Sequence, residues 1–338
     1  MSEIKVLAID LAKSVFQLHG VDARGVAKLR KQVKRSQLLL LLSRLAPCIV
    51  AMEACGGAHD WARKIEALGH EVRLIPARYV KPFVKGNKTD RNDAEAICEA
   101  AQRPNMRFVP VKSEEQQSAM AQQSLRALLV KQRTALVNHI RGHLAEFGFA
   151  VPKGMSALRK LLAQRELLSH APSALQHWAA QAQASWHALD EQIEQISRAI
   201  QQWADAHPSC RYLMRRAGIG VLTASALVAQ IEPTHFKNGR HLSAFIGLVP
   251  KEHSTGGKHV RLGISKRGNT ELRTLLIHGA RAVLRTAAGK EDPLHRWAVQ
   301  LCARVGNHKA IVAVANKMAR YVWVDLMHLR QNGEPTMA

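Results

Sequence analysis

Five short apolar runs in the first third of the chain have the length and composition of β-strands, and amphipathic segments with helical periodicity lie among them. The strands are predicted at residues 5–11, 14–21, 25–33, 48–52 and 71–75. The helices are predicted at residues 36–46, 59–68 and 90–101, and a short last strand at 107–111. Strands that alternate with helices indicate an α/β domain.

The order of these elements narrows the fold. A meander of three strands, followed by helix, strand, helix and strand, is typical of a ribonuclease-H-like mixed sheet with helices on its faces. In such a sheet the first and fourth strands lie side by side. Asp10 ends the first strand and Glu53 follows the fourth. We therefore expect these two carboxylates to face each other.

From residue 113 the pattern changes to long helices. One is predicted from residue 113 for roughly 30 residues, and a second at 173–206. The first has an apolar stripe formed by Leu125, Leu128, Leu129, Leu136, Val137 and Ile140. Their length is compatible with a coiled-coil-like arm, and equally with a helical linker packed on its own chain. Helices at 269–287, 292–305 and 309–327 then predict a mainly helical C-terminal part.

Between two helices of this last part lies a Gly-Ile-Gly turn, Gly218 to Gly220, which resembles a helix-hairpin-helix. Such glycines let backbone N–H groups approach DNA phosphates. The predicted organisation is an α/β domain at 1–112, a long helical region at 113–207, a helical C-terminal domain at 208–330 and a disordered tail at 331–338.

The net charge of the chain indicates the class of its binding partner. Lys and Arg outnumber Asp and Glu by 49 to 26, which gives a formal net charge of +23. This excess favours nucleic acid as the partner, over a membrane surface. No apolar run is long enough to span a bilayer, and no signal peptide opens the chain. Five scattered cysteines argue against disulfides or a zinc site, so a cytoplasmic protein is expected.

Four carboxylates in this basic chain suggest a metal site. Asp10 and Glu53 are near strand ends, and Asp90 and Asp93 begin the helix at 90–101 one turn apart on the same face. Singly, each has a structural explanation as a cap or ion-pair partner. Together they would repel one another unless cations neutralise them. Two Mg²⁺ ions, with Mn²⁺ as a substitute, suit such a set of oxygen ligands and would serve phosphodiester cleavage.

The segment His253-Ser254-Thr255-Gly256-Gly257-Lys258 is a second candidate site. A serine hydroxyl is a poor nucleophile without a base or a metal. By its chemistry alone, this glycine-rich basic segment is better explained as a phosphate-binding turn. The DNA-contacting residues predicted in the C-terminal domain are Gly218, Gly220, Gly256, Gly257, Lys258, Arg261, Lys266, Arg267 and Arg273.

The chain resembles the DEDD-type insertion-sequence transposases. The segments IDLAKS, MEA and KTDRNDAEAI resemble the RuvC-like domain of that family, and the region from Arg216 through HSTGGK to ISKRGNTELRTLLIHGA resembles its second domain. The resemblance covers nearly the whole chain in the right order. The resemblance implies a serine-dependent recombinase guided by a structured RNA.

The resemblance implies that Asp10, Glu53, Asp90 and Asp93 bind Mg²⁺. It also implies that Ser254 attacks a DNA phosphate, giving a phosphoserine and a free 3′ hydroxyl. Thr255 is the less favoured alternative nucleophile, because a primary hydroxyl is less hindered. Family members are similar in placing the serine domain of one protomer over the DEDD domain of another, so a dimer or tetramer on two DNA duplexes, with a guide RNA, is implied.

Three other functions compete with a transposase. A RuvC-type endonuclease, similar to a Holliday-junction resolvase, would use the acidic set alone, with water as nucleophile. A sugar-kinase or actin-like ATPase would need a glycine-rich loop after a strand, which this chain lacks. A non-catalytic nucleic-acid-binding protein would leave the four carboxylates without a purpose.

Overall fold

A computed structural model describes residues 4–86, 89–164 and 170–332. The chain divides into two compact units, Met1–Glu114 and Glu115–Ala338. The first is built around a five-stranded sheet, and the second is mostly helical. The predicted α/β and helical parts are therefore both present.

The sheet of the first unit has the strand order β3-β2-β1-β4-β5. β1 pairs antiparallel with β2 and parallel with β4, as the predicted neighbourhood of the first and fourth strands requires. The strands are β1 Val6–Asp10, β2 Val15–Val21, β3 Ala27–Lys34, β4 Ile49–Glu53 and β5 Glu71–Ile75. The helices are α1 Leu38–Leu42, α2 Ala58–Glu66, α3 Ala77–Val80 and α4 Asp90–Ala101, with 3₁₀ turns at Arg35–Gln37 and Lys81–Phe83.

Each face of the sheet has its own apolar core, because successive side chains of a strand point to opposite faces. Leu7 and Ile9 of β1 pack with residues of α1 and α2. Val6 and Ala8 pack on the other face with α4. The sheet is thus covered on both sides, which explains the nearly continuous apolar sequence of β1 and β4.

Two predictions in this unit were wrong in detail. The helix expected at 36–46 is a 3₁₀ turn followed by only five α-helical residues. Instead of a strand at 107–111, the structure has a single bridge between Val109 and Leu74. The run is short, and Pro110 next to the bridge has no N–H to donate to a ladder.

In the second unit the helices are α5 Glu114–Glu146, α6 Met155–Ala163, α7 Ser173–Ala206, α8 Pro208–Met214, α9 Val221–Gln230, α10 Gly239–Phe245, α11 Thr270–Arg285, α12 Pro293–Val305 and α13 Asn307–Asn332. A 3₁₀ turn lies at Pro233–His235, and two short strands, β6 Pro250–Glu252 and β7 Arg261–Ile264, form a hairpin. α6 and this hairpin were not predicted.

The long helices α5 and α7 pack antiparallel along each other. Arg126 of α5 donates to Ser197 of α7 at 2.8 Å, and Arg133, seven residues later, donates to Asp190, seven residues earlier, at 2.9 Å. This spacing is that of a coiled-coil seam. These polar contacts therefore join two helices of the same chain. Of the apolar stripe predicted on α5, however, Leu125 and Leu128 are exposed.

The C-terminal helices α8 to α13 share one apolar core. Across it, Arg216 holds Asp325 by two hydrogen bonds, 2.8 Å from Nε and 2.6 Å from an Nη atom. Asp325 is only 2% exposed. Because α7 also packs on α8 and α9, a division at 207 and 208 stays a prediction. Residues 333–338 of the predicted tail lie outside the described residues. Within the described ranges, no helix is long and apolar enough to cross a membrane.

Candidate active site

Two of the predicted site residues, Asp10 and Glu53, are brought together by the sheet. β1 and β4 are parallel neighbours whose last registered pair is Ile9 and Met52, so the two acids follow one residue later on each strand. By strand alternation both side chains point to the face that α4 covers. Neighbouring strands are about 5 Å apart. The carboxylates therefore share one edge and one face of the sheet, as predicted.

Cys55 independently reports the closeness of these two acids. Partial desolvation raises the pKa of the Cys55 thiol, although the residue is exposed, and the negative charges of Glu53 and Asp10 raise it further. Both carboxylates are therefore within electrostatic range of one sulfur atom. In the sequence, the only sign that Cys55 is near the acids is its position two residues after Glu53, at the end of a predicted strand.

The other two predicted ligands begin α4. Thr89 caps this helix by accepting a hydrogen bond from the backbone N–H of Asn92, at 3.3 Å. Asp90 is exposed and Asp93 is half-buried. Both lie at helical spacing from Ile97, a core residue on the sheet side of α4. The acids thus lie on the stripe of α4 that faces the sheet.

The chemistry of Asp10 and Glu53 fits a divalent cation, since two carboxylates on adjacent strands supply hard oxygen ligands at one point. In the part of the chain that the structure describes, no three His, Cys, Asp or Glu side chains are grouped closely enough to hold a metal ion. The structure therefore brings Asp10 and Glu53 together, and a metal site that also includes Asp90 and Asp93 stays a prediction.

The segment around Ser254 is the turn of the β6–β7 hairpin. Thr255 and Lys258 exchange two backbone hydrogen bonds, at 3.3 and 3.0 Å. Gly256 and Gly257 between them both have positive φ angles, 53° and 78°. Positive φ at both central residues defines a type I′ turn, which glycines adopt at no steric cost. All residues of this tip are exposed.

The hairpin register decides which side chains share a face. Thr255 pairs with Lys258 next to the turn, and His253 pairs with Val260 farther from it. Ser254 and His259 lie between these two pairs and are therefore directly opposite. Residues directly opposite on antiparallel strands point to one face. Glu252, two residues before Ser254, points to that face too. Thr255 therefore points to the opposite face.

On this face three side chains form one hydrogen-bonded group. The Oγ of Ser254 donates to the Oε1 of Glu252 at 2.7 Å. The Nδ1 of His259 lies 3.1 Å from the same carboxylate oxygen and 3.4 Å from the Oγ of Ser254. The hydrogen bonds from Ser254 and His259 lower the pKa of Glu252. Sequence reasoning missed Glu252 and His259, although a Gly-Gly turn with period-2 alternation would have found them.

Comparison with known proteins now decides the family. A profile for the DEDD transposases of IS110 type matches residues 7–149, and one described as the transposase IS116/IS110/IS902 family matches 210–295. A probable family 20 transposase of Pseudomonas aeruginosa is 47% identical over 325 residues, covering 95% of this chain and 96% of the relative. The chain belongs to this family of insertion-sequence transposases. The transposase for insertion sequence element IS1111A of Coxiella burnetii is 44% identical, covering 96% and 90%. The IS1328 transposase of Yersinia enterocolitica is 38% identical, covering 96% and 97%.

The matched regions of the transposase contain both candidate sites. The first contains all four acids, and the second contains the β6–β7 hairpin. Between Lys237 and Lys309 the transposase has fourteen Lys or Arg against four Asp or Glu. Of the predicted DNA-contacting residues, Lys258, Arg261, Lys266 and Arg267 are exposed around the hairpin. Their exposure leaves these side chains accessible to DNA, and the contact with DNA stays a prediction.

Two other residues predicted to touch DNA have contacts inside the transposase. Arg273 donates to the backbone oxygens of Ile246 and Arg267, at 2.8 and 3.2 Å, and so holds the base of the hairpin on α10 and α11. A Cβ at Gly218 would lie 2.8 Å from the carbonyl oxygen of Gly279 and from two core side chains. Packing within the protein therefore explains Gly218. Gly220, which is exposed, is the N-cap residue that precedes α9.

Proposed function

We propose that this transposase excises and inserts its element through a covalent phosphoserine formed on Ser254. The observation behind this proposal is the hydrogen bond from the Oγ of Ser254 to the carboxylate of Glu252, on an exposed hairpin tip. A hydroxyl needs a neighbouring proton acceptor to become a nucleophile, and this one has it. The exposed cations around the hairpin would bind DNA phosphates and offset the negative charge of the transition state.

The second half of the proposed reaction belongs to the RuvC-like domain. Asp10 and Glu53, joined by Asp90 and Asp93, would hold divalent cations, Mg²⁺ or Mn²⁺ in its place. Bound there, such a cation would stabilise charge on a phosphodiester and its leaving oxygen. The strand pair supports this role, since like charges on one face at this spacing favour a cation between them.

The assembly and the guide are further parts of the proposal. By resemblance to the family, the serine of one protomer and the carboxylates of another act on one DNA phosphate, in a dimer or tetramer. A structured RNA would choose the DNA sequence, so that the protein reads shape and backbone. In keeping with this division, the exposed cations near the hairpin suit phosphates better than bases.

The test uses the full-length protein with element-end DNA, the element's transcript and Mg²⁺. We expect a protein–DNA adduct that survives denaturation and maps by mass spectrometry to Ser254. Ser254→Ala should bind DNA as well as the wild type and form no adduct. Asp10→Asn should lose cleavage under the same conditions. An active wild-type protein that cleaves DNA without any adduct would overturn the serine mechanism.

That last outcome is the one expected for the alternative, a structure-selective endonuclease of RuvC type. The alternative has one observation in its favour, because Asp10 and Glu53 come together within the first unit without any contribution from the hairpin. In that reaction, water would be the nucleophile, and Ser254→Ala would cleave like the wild type.

A further inference from the structure

A carboxylate and a histidine that no motif of the chain had indicated lie beside the proposed nucleophile. Glu252 ends β6 and His259 lies two residues before β7, and the type I′ turn places both on one face with Ser254. We propose that Glu252 accepts the Ser254 proton during adduct formation and that His259 is a positioning residue for Glu252. This inference rests on the proposed function, since it gives Ser254 its base.

The geometry assigns the two roles differently. The Ser254 hydroxyl is 2.7 Å from Glu252 and 3.4 Å from His259, so the carboxylate is the nearer acceptor by 0.7 Å. The Nδ1 of His259, at 3.1 Å from the same oxygen, is placed to donate to Glu252. A carboxylate is suited to this task, because phosphoryl transfer to a hydroxyl uses an aspartate as proton acceptor in protein kinases.

The step balances without any further reactant. The Oγ of Ser254 forms a bond to phosphorus as the bond from phosphorus to the 3′ oxygen breaks. The Oγ proton passes to the carboxylate of Glu252, and the departing 3′ oxygen takes up a proton from solvent. Loss of the proton from Glu252 to solvent then restores the carboxylate. The products are a phosphoserine diester and a free 3′ hydroxyl, with one negative charge on the phosphate before and after.

The hairpin offers a matched control for each residue. His253 is a second histidine of the same hairpin, whose side chain points to the opposite face. Glu252 is an exposed residue, and Glu252→Gln preserves its size while removing its charge and basicity. Glu252→Asp keeps the charge but shortens the side chain.

The experiment measures the rate of adduct formation on nicked element-end DNA, together with DNA binding by fluorescence anisotropy. We expect Glu252→Gln to slow adduct formation by about 100-fold or more, in the range of general-base catalysis, with DNA binding unchanged within about 3-fold. Glu252→Asp should retain part of the rate. His259→Ala should slow the reaction by about 10-fold, His259→Asn should restore part of it, and His253→Ala should match the wild type.

The pH profile separates positioning from a merely structural role. Hydrogen bonds from Ser254 and from His259, together with the charge of Arg261, keep the pKa of Glu252 low, so the carboxylate stays ionised as the pH falls toward its ordinary pKa. In His259→Ala the pKa of Glu252 should rise toward its ordinary value. The acid limb of the profile should move to higher pH, and an unmoved limb would overturn the role of His259.

The outcomes distinguish this inference from the function on which it rests. A wild-type adduct on Ser254 that Glu252→Gln forms at an undiminished rate would overturn the inference and leave the proposed function standing. DNA cleavage without an adduct in the wild type would overturn the proposed function itself. A Glu252→Gln protein that binds DNA normally but forms the adduct slowly supports both.

Discussion

The Gly218→Ala variant distinguishes two explanations of Gly218, which are packing among the C-terminal helices and contact with DNA. The φ angle of Gly218 is +80°, and an added Cβ would lie 2.8 Å from each of three atoms, on Gly279, Val283 and Met318. Ordinary carbon contacts are near 3.5–4.0 Å. A methyl group would therefore have to push α11 and α13 away by several tenths of an ångström.

The magnitude follows from two costs. A left-handed backbone costs a non-glycine residue about 1–2 kcal/mol. Overpacking of a filled core adds about 1–3 kcal/mol. Because one of the three neighbours of the methyl group is a backbone oxygen, which cannot rotate away, we expect Gly218→Ala to lose about 3 kcal/mol of unfolding free energy in total.

Gly289 supplies the matched control. Its φ angle is +76°, and a Cβ there would meet nothing within 4 Å. Gly289→Ala should therefore lose only the backbone cost, about 1 kcal/mol. Both variants are compared by urea unfolding followed through tryptophan fluorescence, and the difference of about 2 kcal/mol isolates packing. Equal losses for the two variants, with DNA binding weakened only in Gly218→Ala, would refute this explanation and restore the phosphate-binding one.

Three further predictions follow from single contacts. Arg216→Ala leaves the buried carboxylate of Asp325 without its bidentate partner and should lower the free energy of unfolding in urea by about 3 kcal/mol. A loss below about 1 kcal/mol would show that water replaces the arginine. Lys266→Gly removes a charge and also relieves a φ angle of +53°, so it should weaken binding to all DNA sequences alike while stabilising the fold. A loss confined to one sequence would contradict that reasoning. Asp10→Asn should lower the pKa of the exposed Cys55 thiol and speed its alkylation, measured by peptide mass spectrometry, and an unchanged rate would place Asp10 elsewhere.

The sheet of the first unit could be predicted because its determinants are local. β5 and α4 have the predicted bounds, 71–75 and 90–101, and α7 has its predicted bounds of 173–206. Pro76 follows β5, Thr89 caps α4, and Pro172 and Pro208 flank α7, so local signals and burial agree in each. The pairing of β1 with β4 followed from the element order alone, and with it the meeting of Asp10 and Glu53.

Long-range packing is where prediction failed. Leu125 has the periodicity of a buried residue, but it is 46% exposed, because α7 covers a different side of α5. Gly218 was assigned to DNA, since nothing near it in sequence reveals Gly279. Such contacts depend on how helices far apart in sequence cross, which periodicity does not specify.

The β6–β7 hairpin was missed for a different reason. Its strands are short and exposed, and they lack the apolar alternation that marks a half-buried sheet. The local signal was present in Gly256-Gly257, the dipeptide that a type I′ turn favours. A hairpin interpretation would have set the register and shown Glu252 and His259 beside Ser254.

That register favours Ser254 over Thr255 as the proposed nucleophile. Successive residues of a strand point to opposite faces, so only one of the two hydroxyls lies beside Glu252 and His259. Thr255 shares its face with His253 and Lys258, and within the described residues its hydroxyl makes no hydrogen bond to a carboxylate or imidazole of the hairpin. We expect Thr255→Ala to form the DNA adduct within about 3-fold of the wild-type rate, since general-base assistance of about 10²-fold or more would be retained. Mass spectrometry of the trapped peptide checks the site directly, and an adduct on Thr255 in the wild type would show that the hairpin changes its register when DNA binds.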